Sequence, residues 1–115
     1  VYINTHGTAS ALGDATEINA IRRSNLKPTF INSTKSLIGH GLTASGLIEA
    51  IATIIQMENG FIHISKNVDE PVTDDPVIAV GEAKSLDVPY ALSNGFGFGG
   101  INTSILLENL TLTNR

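Results

Sequence analysis

The amino-acid sequence predicts an α/β fold in which a mostly parallel sheet, connected by crossover helices, is extended by antiparallel strands. Strand-like and helix-like runs alternate over residues 1–57, and further strand-like runs follow them. Apolar residues make up 42% of the 115 residues and charged residues only 16%, below the ~25% that is typical of soluble domains. Alternating elements favour a parallel sheet, and this length and composition favour one domain with an apolar core.

The first three elements are predicted to be a strand, a helix and a second strand. The strand-like run of residues 1–5 opens without a methionine, so we expect a piece of a larger protein or a cleavage product. Asp14 and Glu17 have the spacing of a capping box at a helix N-terminus, which predicts a helix over residues 14–25. Residues 30–33 are predicted to form the next strand.

A second helix is predicted over residues 42–57, where nearly every face is apolar. A helix without a polar face is normally buried on all sides, and Gly46 within it predicts close packing. Residues 29–57 contain only two formal charges, Lys35 and Glu49. Because an unpaired buried charge costs several kcal/mol, composition alone predicts that these two residues form an ion pair.

The remainder of the chain is predicted to be strands joined by loops. An acidic, proline-containing loop covers residues 69–76, and a glycine-rich connection covers residues 94–102. His63 is expected to be an ordinary strand residue. The predicted strands are residues 61–64, 77–80, 90–93 and 103–108.

Charge and composition exclude several classes of function. A net charge of −4 and a pI near 5.1 disfavour binding to nucleic acid or to an anionic membrane. No apolar run reaches the ~18 residues of a membrane span, and without a targeting signal the expected location is the cytoplasm. The absence of cysteine excludes disulfides and a thiolate nucleophile within these residues. The three histidines are too scattered for zinc-ligand spacing, so no metal site is expected.

Three polar segments follow predicted strands: residues 4–8, 33–40 and 94–100. Ligand clefts form at the carboxyl ends of strands in open α/β sheets, so the three segments are predicted to converge. Two imidazoles and a lysine near one pocket favour stabilisation of negative charge that develops on a carbonyl or carboxylate. The dipole of the helix after His40 disfavours its charged form, which predicts a neutral ring.

A purely structural explanation of these residues fits the sequence pattern about as well as a functional one. Each histidine could be a structural or solvent-exposed residue, and the third polar segment could be a tight strand connection with two packed aromatics. This segment also fits the dinucleotide-binding pattern G-x-G-x-x-G, but a strand rather than a helix follows it. We therefore interpret that match as accidental.

Taken together, the polar segments resemble the C-terminal part of a β-ketoacyl-acyl-carrier-protein synthase, the condensing enzyme of fatty-acid and polyketide synthesis. The resemblance rests on NTHGT (4–8) with Gly13 and Asp14, STKSLIGH (33–40) and NGFGFGGIN (94–102). It implies the partial, C-terminal β-α-β-α-β-β half of a thiolase-like fold, with a half-domain over residues 1–110 and a frayed tail over 111–115.

The resemblance also implies roles for individual residues. His6 and His40 would bind the malonyl thioester carbonyl and promote decarboxylation, and Lys35 would orient the site through Glu49. Phe98 and Gly99 would form the gating turn with its oxyanion-hole amide, beside a cysteine located upstream. Thr8, Ser10 and Phe96 would contact the phosphopantetheine arm. Three residues depart from the family pattern: Ser10 replaces the common threonine, and Gly95 and Ile101 replace the usual serine and threonine.

The resemblance implies no cofactor, since the substrates are attached to the phosphopantetheine of the acyl carrier protein. The implied partners are that carrier protein, the N-terminal half of the synthase with the nucleophile, and a second subunit in a homodimer or heterodimer. The leading function is decarboxylative condensation of malonyl-carrier protein with an acyl-enzyme thioester. The alternatives are a malonyl-carrier-protein decarboxylase without the cysteine and a non-catalytic subunit or fragment. A thiolase-type enzyme is disfavoured because it would use a cysteine in this half.

Overall fold

The computed structural model of the protein describes residues 1–26, 28, 30–64, 83–97 and 99–113. The chain begins with a strand, a helix and a second strand. Its elements are β1 (Tyr2–Asn4), α1 (Ala11–Arg23), β2 (Phe30–Asn32), α2 (Lys35–Ile38), a 3-10 turn (Leu42–Ala44), α3 (Ser45–Asn59), β3 (Phe61–Ile62), β4 (Lys84–Ser85), β5 (Tyr90–Gly97), β6 (Ile101–Glu108) and α4 (Leu110–Thr113).

The main sheet has four strands in the order β2-β1-β5-β6. β1 is parallel to both of its neighbours, and Ile3 lies opposite Ile31 on one side and Leu92 on the other. β6 is antiparallel to β5, while β3 and β4 form a separate antiparallel pair. The predicted mixed sheet, with parallel strands first and antiparallel strands later, is confirmed.

The apolar core lies on both faces of this sheet. Successive side chains of a strand point to opposite faces, and Ile3 packs with Ile18 and Ile21 of α1. Tyr2 faces the other way and belongs to a second cluster with Met57 of α3. β1 is therefore buried from both sides, and the residues that follow it are held in a fixed position.

Helix α3 is buried on only one face by the described residues. Glu49, Thr53 and Gln56 are buried, whereas Leu47 is 70% exposed and Ile51 is 49% exposed. Within the described residues only one face of α3 meets the sheet, so the predicted burial on all sides is not provided by this part of the chain and stays a prediction for a larger protein. The predicted close packing at Gly46 is likewise not found, since a Cβ at that position would meet nothing within 4 Å.

Several predicted boundaries differ from the observed elements. α1 begins at Ala11, three residues before the predicted start, and Ser10 occupies the N-cap. The glycine-rich connection is mostly strand, since pairing of β5 with β6 continues to Gly97 opposite Ile101. His63 follows β3 rather than lying within a strand. The predicted strand at 77–80 and loop at 69–76 lie outside the described residues.

Residues 110–113 form a short helix, which overlaps the start of the predicted frayed tail. In α4, the backbone nitrogens of Leu112 and Thr113 donate to the carbonyl of Asn109 at 3.0 and 3.1 Å, and the Thr113 hydroxyl donates to Glu108 at 2.7 Å. The frayed tail over residues 111–115 stays a prediction. The domain limit at residue 110 stays a prediction. Among the described residues, the helices are too short or too polar to cross a lipid bilayer.

Candidate active site

The three polar segments meet at the carboxyl edge of the sheet. His6 follows β1, Lys35 and His40 follow β2, and Phe96 lies near the end of β5. Because these three parallel strands are neighbours in the sheet, their carboxyl ends share one edge. An open cavity of about 180 Å³ lies there and is lined by His6, His40, Glu49 and Phe96, among others. The predicted convergence is confirmed.

The imidazole rings of His6 and His40 meet edge to face in the lining of this cavity. Their centroids are 5.7 Å apart and their planes are nearly perpendicular, at 88°. The ring of Phe96 also packs against His6, with centroids 5.0 Å apart and planes inclined at 44°. His6 thus contacts both an aromatic side chain and the second histidine.

Backbone amides determine the tautomers of both histidines. The Phe96 N–H donates to Nδ1 of His6 at 3.2 Å, and the Leu42 N–H donates to Nδ1 of His40 at 3.2 Å. An amide nitrogen is always a donor, so each Nδ1 is an acceptor and each neutral ring has its proton on Nε2. The site therefore contains two imidazole N–H donors whose other nitrogen is already bonded to the protein.

Leu42 presents its amide to His40 from an unusual backbone conformation. Its φ of +50° lies in the left-handed region, which a bulky residue rarely adopts. Such backbone strain is found preferentially at ligand and catalytic sites. Here it directs an N–H group toward the imidazole.

The pKa of His6 is lowered from its ordinary value of 6.5, first by burial and second by the positive charge of Lys35. Glu49 opposes this effect and raises the pKa, but the lowering causes prevail. Burial and a neighbouring cation both disfavour the imidazolium form. His6 is therefore mostly neutral at pH 7.

Lys35 and Glu49 form the ion pair that composition predicts. The Lys35 ammonium donates to both carboxylate oxygens of Glu49 at 2.8 Å, and each side chain is only 5% exposed. Lys35 is the first residue of α2, directly after the segment that leaves β2, and Glu49 lies on the buried face of α3. The pair joins these two helices beneath the cavity.

Glu17 supports the backbone beside His6, a role that differs from the predicted helix cap. Its carboxylate takes no part in a capping box; it accepts hydrogen bonds from the backbone of His6 at 2.9 Å and of Gly7 at 3.0 Å. The amide side chain of Asn94 donates to it at 3.2 Å. The sequence contains a signal for this burial. Glu17 lies four positions before Ile21 and therefore on the same apolar face of the helix.

A buried polar network supports the second polar segment from below. The Asn4 amide donates to the Thr34 hydroxyl at 3.2 Å, and that hydroxyl lies 3.1 Å from Nε2 of His63. Nδ1 of His63 lies 2.6 Å from the carbonyl oxygen of Ile64 and donates to it. Burial lowers the pKa of His63. His63 is thus a buried structural residue that fixes Thr34, next to Lys35.

The other predicted site residues are less closely associated with the cavity. Gly99 is exposed in the turn between β5 and β6, with φ +83°, and Phe98 lies outside the described residues. Thr8 and Ser10 belong to the exposed segment between His6 and α1, where their hydroxyl oxygens are 3.3 Å apart. Neither of them lines the cavity. Among the residues that the structure describes, no group of three or more His, Cys, Asp or Glu is arranged to bind a metal ion.

The arrangement is suited to stabilising an oxyanion. Two imidazole rings, each with Nδ1 bonded to a backbone amide, line one cavity, and the buried Lys35–Glu49 pair lies next to it. Preorganised donors of this kind stabilise charge that develops on an oxygen during a reaction. The apolar side chains of Leu42, Phe96 and Ile101 also line the cavity, as do the hydroxyl-bearing Ser45 and Thr103 and three glycines.

Comparisons with known proteins show the family to which the chain belongs. Residues 1–69 match the family described as "Beta-ketoacyl synthase, C-terminal domain". Over 109 residues the chain is 41% identical to the polyketide biosynthesis malonyl-ACP decarboxylase PksF of Bacillus subtilis, covering 95% of this chain and 26% of that protein. It is 39% identical over 111 residues to 3-oxoacyl-[acyl-carrier-protein] synthase 1 of Buchnera aphidicola, covering 93% of this chain and 27% of the relative.

A solved structure shows the same fold. The crystal structure of a β-ketoacyl synthase from Burkholderia phymatum matches with a TM-score of 0.87 and 38% identity, covering 94% of this chain and 27% of that chain. The chain thus spans about a quarter of the length of these relatives. The family and fold inferred from the three polar segments are confirmed: the chain belongs to the β-ketoacyl synthases and corresponds to their C-terminal domain.

Proposed function

We propose that this chain supplies the decarboxylating half of an active site that condenses malonyl-acyl carrier protein with an acyl group held as a thioester on the enzyme. The observation that supports it most directly is the pair of histidines whose Nδ1 atoms are both occupied by backbone amides. Each ring then directs its N–H from Nε2 to a ligand. The malonyl group would arrive on the phosphopantetheine arm of the carrier protein.

The first chemical step is loss of CO₂. The bond between the carboxylate and the α-carbon breaks, its electron pair enters the C=C bond of an enolate, and the thioester oxygen becomes negative. His6 and His40 donate their Nε2–H groups to this oxygen. One such donor is worth about 3 kcal/mol of barrier in comparable sites, so two donors account for a large part of the acceleration.

The ion pair keeps the histidines ready for this task. Lys35 lowers the pKa of His6, and an imidazole that stays neutral retains the Nδ1 lone pair that binds the Phe96 amide. Glu49 holds the ammonium group in place at 2.8 Å. We assign Lys35 and Glu49 to positioning and electrostatics rather than to proton transfer.

In the second step the enolate carbon attacks the carbonyl of the acyl thioester, forming the new C–C bond and releasing the enzyme thiolate. These 115 residues contain no cysteine, so the nucleophile would come from the part of a synthase that this chain does not cover. The oxyanion-hole roles of Phe98 and Gly99 and the phosphopantetheine contacts of Thr8, Ser10 and Phe96 belong to this proposal. So does a dimer of two synthase subunits.

A second function is favoured by the 41% identity to PksF, a malonyl-ACP decarboxylase. In this case the same histidines stabilise the enolate, and its carbon takes a proton to give the acetyl thioester. The two functions share every step that this chain performs. They differ in whether a cysteine-bound acyl group is present to accept the carbanion.

The test is CO₂ release from malonyl-carrier protein labelled in the free carboxylate, measured on the full natural protein that contains this sequence. His6→Ala and His40→Ala should each lower the rate by about 100-fold or more, because each removes one donor to the enolate oxygen. Asn19→Ala, on the exposed face of α1, serves as the matched control and should keep the wild-type rate.

The products separate the proposals from one another. A 3-oxoacyl-carrier protein, detected by mass spectrometry when an acyl donor is supplied, identifies the condensing enzyme. Acetyl-carrier protein alone identifies the decarboxylase. Undiminished CO₂ release from either histidine variant would remove that residue from the mechanism, and a wild-type protein that releases no CO₂ would be a non-catalytic subunit.

A further inference from the structure

The side chain of Ser45 contacts His40 at the nitrogen that determines its tautomer. Ser45 Oγ lies 2.7 Å from Nδ1 of His40, the same atom that accepts the Leu42 N–H at 3.2 Å. Ser45 is buried and is the first residue of α3. We propose that Ser45 is a positioning residue whose hydroxyl donates to Nδ1 and holds the ring of His40 with its Nε2–H toward the cavity. This inference rests on the proposed role of His40.

The direction of the hydrogen bond follows from the neighbouring amide. Because the Leu42 N–H can only donate, Nδ1 of His40 has no proton to give, and the hydroxyl of Ser45 must be the donor. Rotation of the ring by 180° would replace Nδ1 by a carbon atom and would lose both bonds. Two donors on one nitrogen therefore fix both the tautomer and the orientation of the ring.

The two donors differ in how firmly the fold holds them. Leu42 is 74% exposed and has a strained backbone in the 3-10 turn. Ser45 is buried in the first turn of a helix of 15 residues. Groups on regular elements are held more precisely than groups on exposed turns, so the serine hydroxyl is the firmer support of the ring.

His6 illustrates why His40 requires this support. Nδ1 of His6 is bound by the Phe96 amide, which belongs to the long strand β5, and the Phe96 ring packs against it at 5.0 Å. His40 lies in the exposed segment between α2 and the 3-10 turn. The serine gives His40 the orientation that β5 and the aromatic ring give His6.

The experiment compares Ser45→Ala with Ser45→Thr in the full natural protein. Alanine preserves the helix but removes the donor, so kcat for malonyl decarboxylation should fall about two- to tenfold, the net worth of one hydrogen bond, with an unchanged KM. Threonine restores a hydroxyl at the same position and should recover the rate. Thr43→Ala removes an exposed hydroxyl from the adjacent turn and is the matched control.

A spectroscopic measurement follows the tautomer itself. In ¹⁵N-histidine-labelled protein, His40 of the wild type and of Ser45→Thr should show only the Nε2–H tautomer, whereas Ser45→Ala should show a mixture or a broadened ring signal. An unchanged kcat in Ser45→Ala, a change confined to KM, or a failure of threonine to rescue would overturn the inference. If His40→Ala instead leaves CO₂ release intact, the proposed function fails and not only the role of Ser45.

Discussion

Lys35 and Glu49 are the charged residues on which the site depends most directly. Both side chains are removed from water, and each satisfies the other with hydrogen bonds of 2.8 Å. A buried ion pair contributes little more to the free energy of folding than well-packed apolar residues would. Removing one member is costly, because the remaining buried charge has no partner to offset its desolvation. The pair is therefore not expected to add much net stability, and its two members shift the pKa of His6 in opposite directions.

Replacing one partner should destabilise the protein more than replacing both. Lys35→Met and Glu49→Leu each leave a buried charge and should lower the free energy of unfolding by about 3–5 kcal/mol. The double variant should return to within about 1 kcal/mol of the wild type, but with a reduced rate of CO₂ release. Denaturant unfolding of the full natural protein measures this, and additive losses in the double variant would contradict it.

His6 should resist protonation to a lower pH than an ordinary histidine. Its pKa in the folded state is lowered from 6.5 by burial and by Lys35, whereas in the unfolded state it stays near that value. The unfolded ring then binds a proton first, so the stability that the neutral ring provides is present above pH 6.5 and is lost as the pH falls through the lowered pKa.

The titration of His6 can be followed by NMR of ¹³C-histidine-labelled protein, with the signal assigned by its loss in His6→Gln. We expect a midpoint below 6.5 and a fall in CO₂ release over the same range, since the protonated ring loses the acceptor for the Phe96 amide. A midpoint at or above 6.5 would refute this prediction.

At the scale of elements, Glu17 joins three parts of the fold. It lies on α1 and accepts donors from the segment after β1 and from Asn94 of β5. Asn94 in turn accepts the hydroxyl of Ser104 on β6 at 2.8 Å. One carboxylate thus aligns a helix and two strands around His6.

Glu17→Gln should weaken this junction while preserving its shape. The glutamine oxygen can accept from the backbone, but its NH₂ group then faces a second donor, so we expect a loss of about 1–3 kcal/mol of stability and a slower release of CO₂ through a displaced His6. Thermal unfolding and the labelled-carboxylate assay measure both effects. Asn19→Ala on the same helix is the control, and a Glu17→Gln variant with wild-type activity would show that the carboxylate does not position His6.

The sequence predicts these elements well where local rules and tertiary contacts agree. The polar segments after the strands reveal the site because parallel strands end at one edge, and the Lys35–Glu49 pair follows from desolvation alone. The prediction of a capping box is wrong because the Glu17 carboxylate accepts hydrogen bonds from three donors outside α1 and not from the start of its own helix. The glycine-rich segment forms a strand because β6 supplies its pairing partners. The Thr103 hydroxyl donates to the Gly95 carbonyl at 3.0 Å. A Cβ at position 95 would lie only 3.2 Å from the Thr103 hydroxyl oxygen.

At the scale of the whole molecule, the exposed apolar surface of α3 determines how the isolated chain of 115 residues behaves in solution. Large apolar side chains are exposed on this helix at Leu47, Ile51, Ile54 and Ile55. Strand β6 also exposes Ile101 and Leu106. Contiguous exposed apolar surface promotes association. Sequence alone indicates an apolar helix, but only the packing shows which of its faces the sheet covers.

The isolated 115-residue chain should therefore self-associate or bind a hydrophobic dye. Ile51→Lys and Ile55→Lys, four positions apart on one exposed face, should together reduce association while the far-ultraviolet circular dichroism is retained. Sedimentation velocity and dye fluorescence are the measurements. A sharp, cooperative and monomeric melt of the unmodified chain, without dye binding, would disprove this expectation.

The position of β1 in the sheet also affects how the site forms during folding. His6 follows β1 near the start of the chain, and the amide that fixes its tautomer lies 90 positions later, in β5. Contacts between such distant positions raise the contact order and form slowly. A refolding molecule without the β1–β5 ladder lacks the amide that orients the ring of His6, so this imidazole is fixed only after two strands that are distant in sequence have paired.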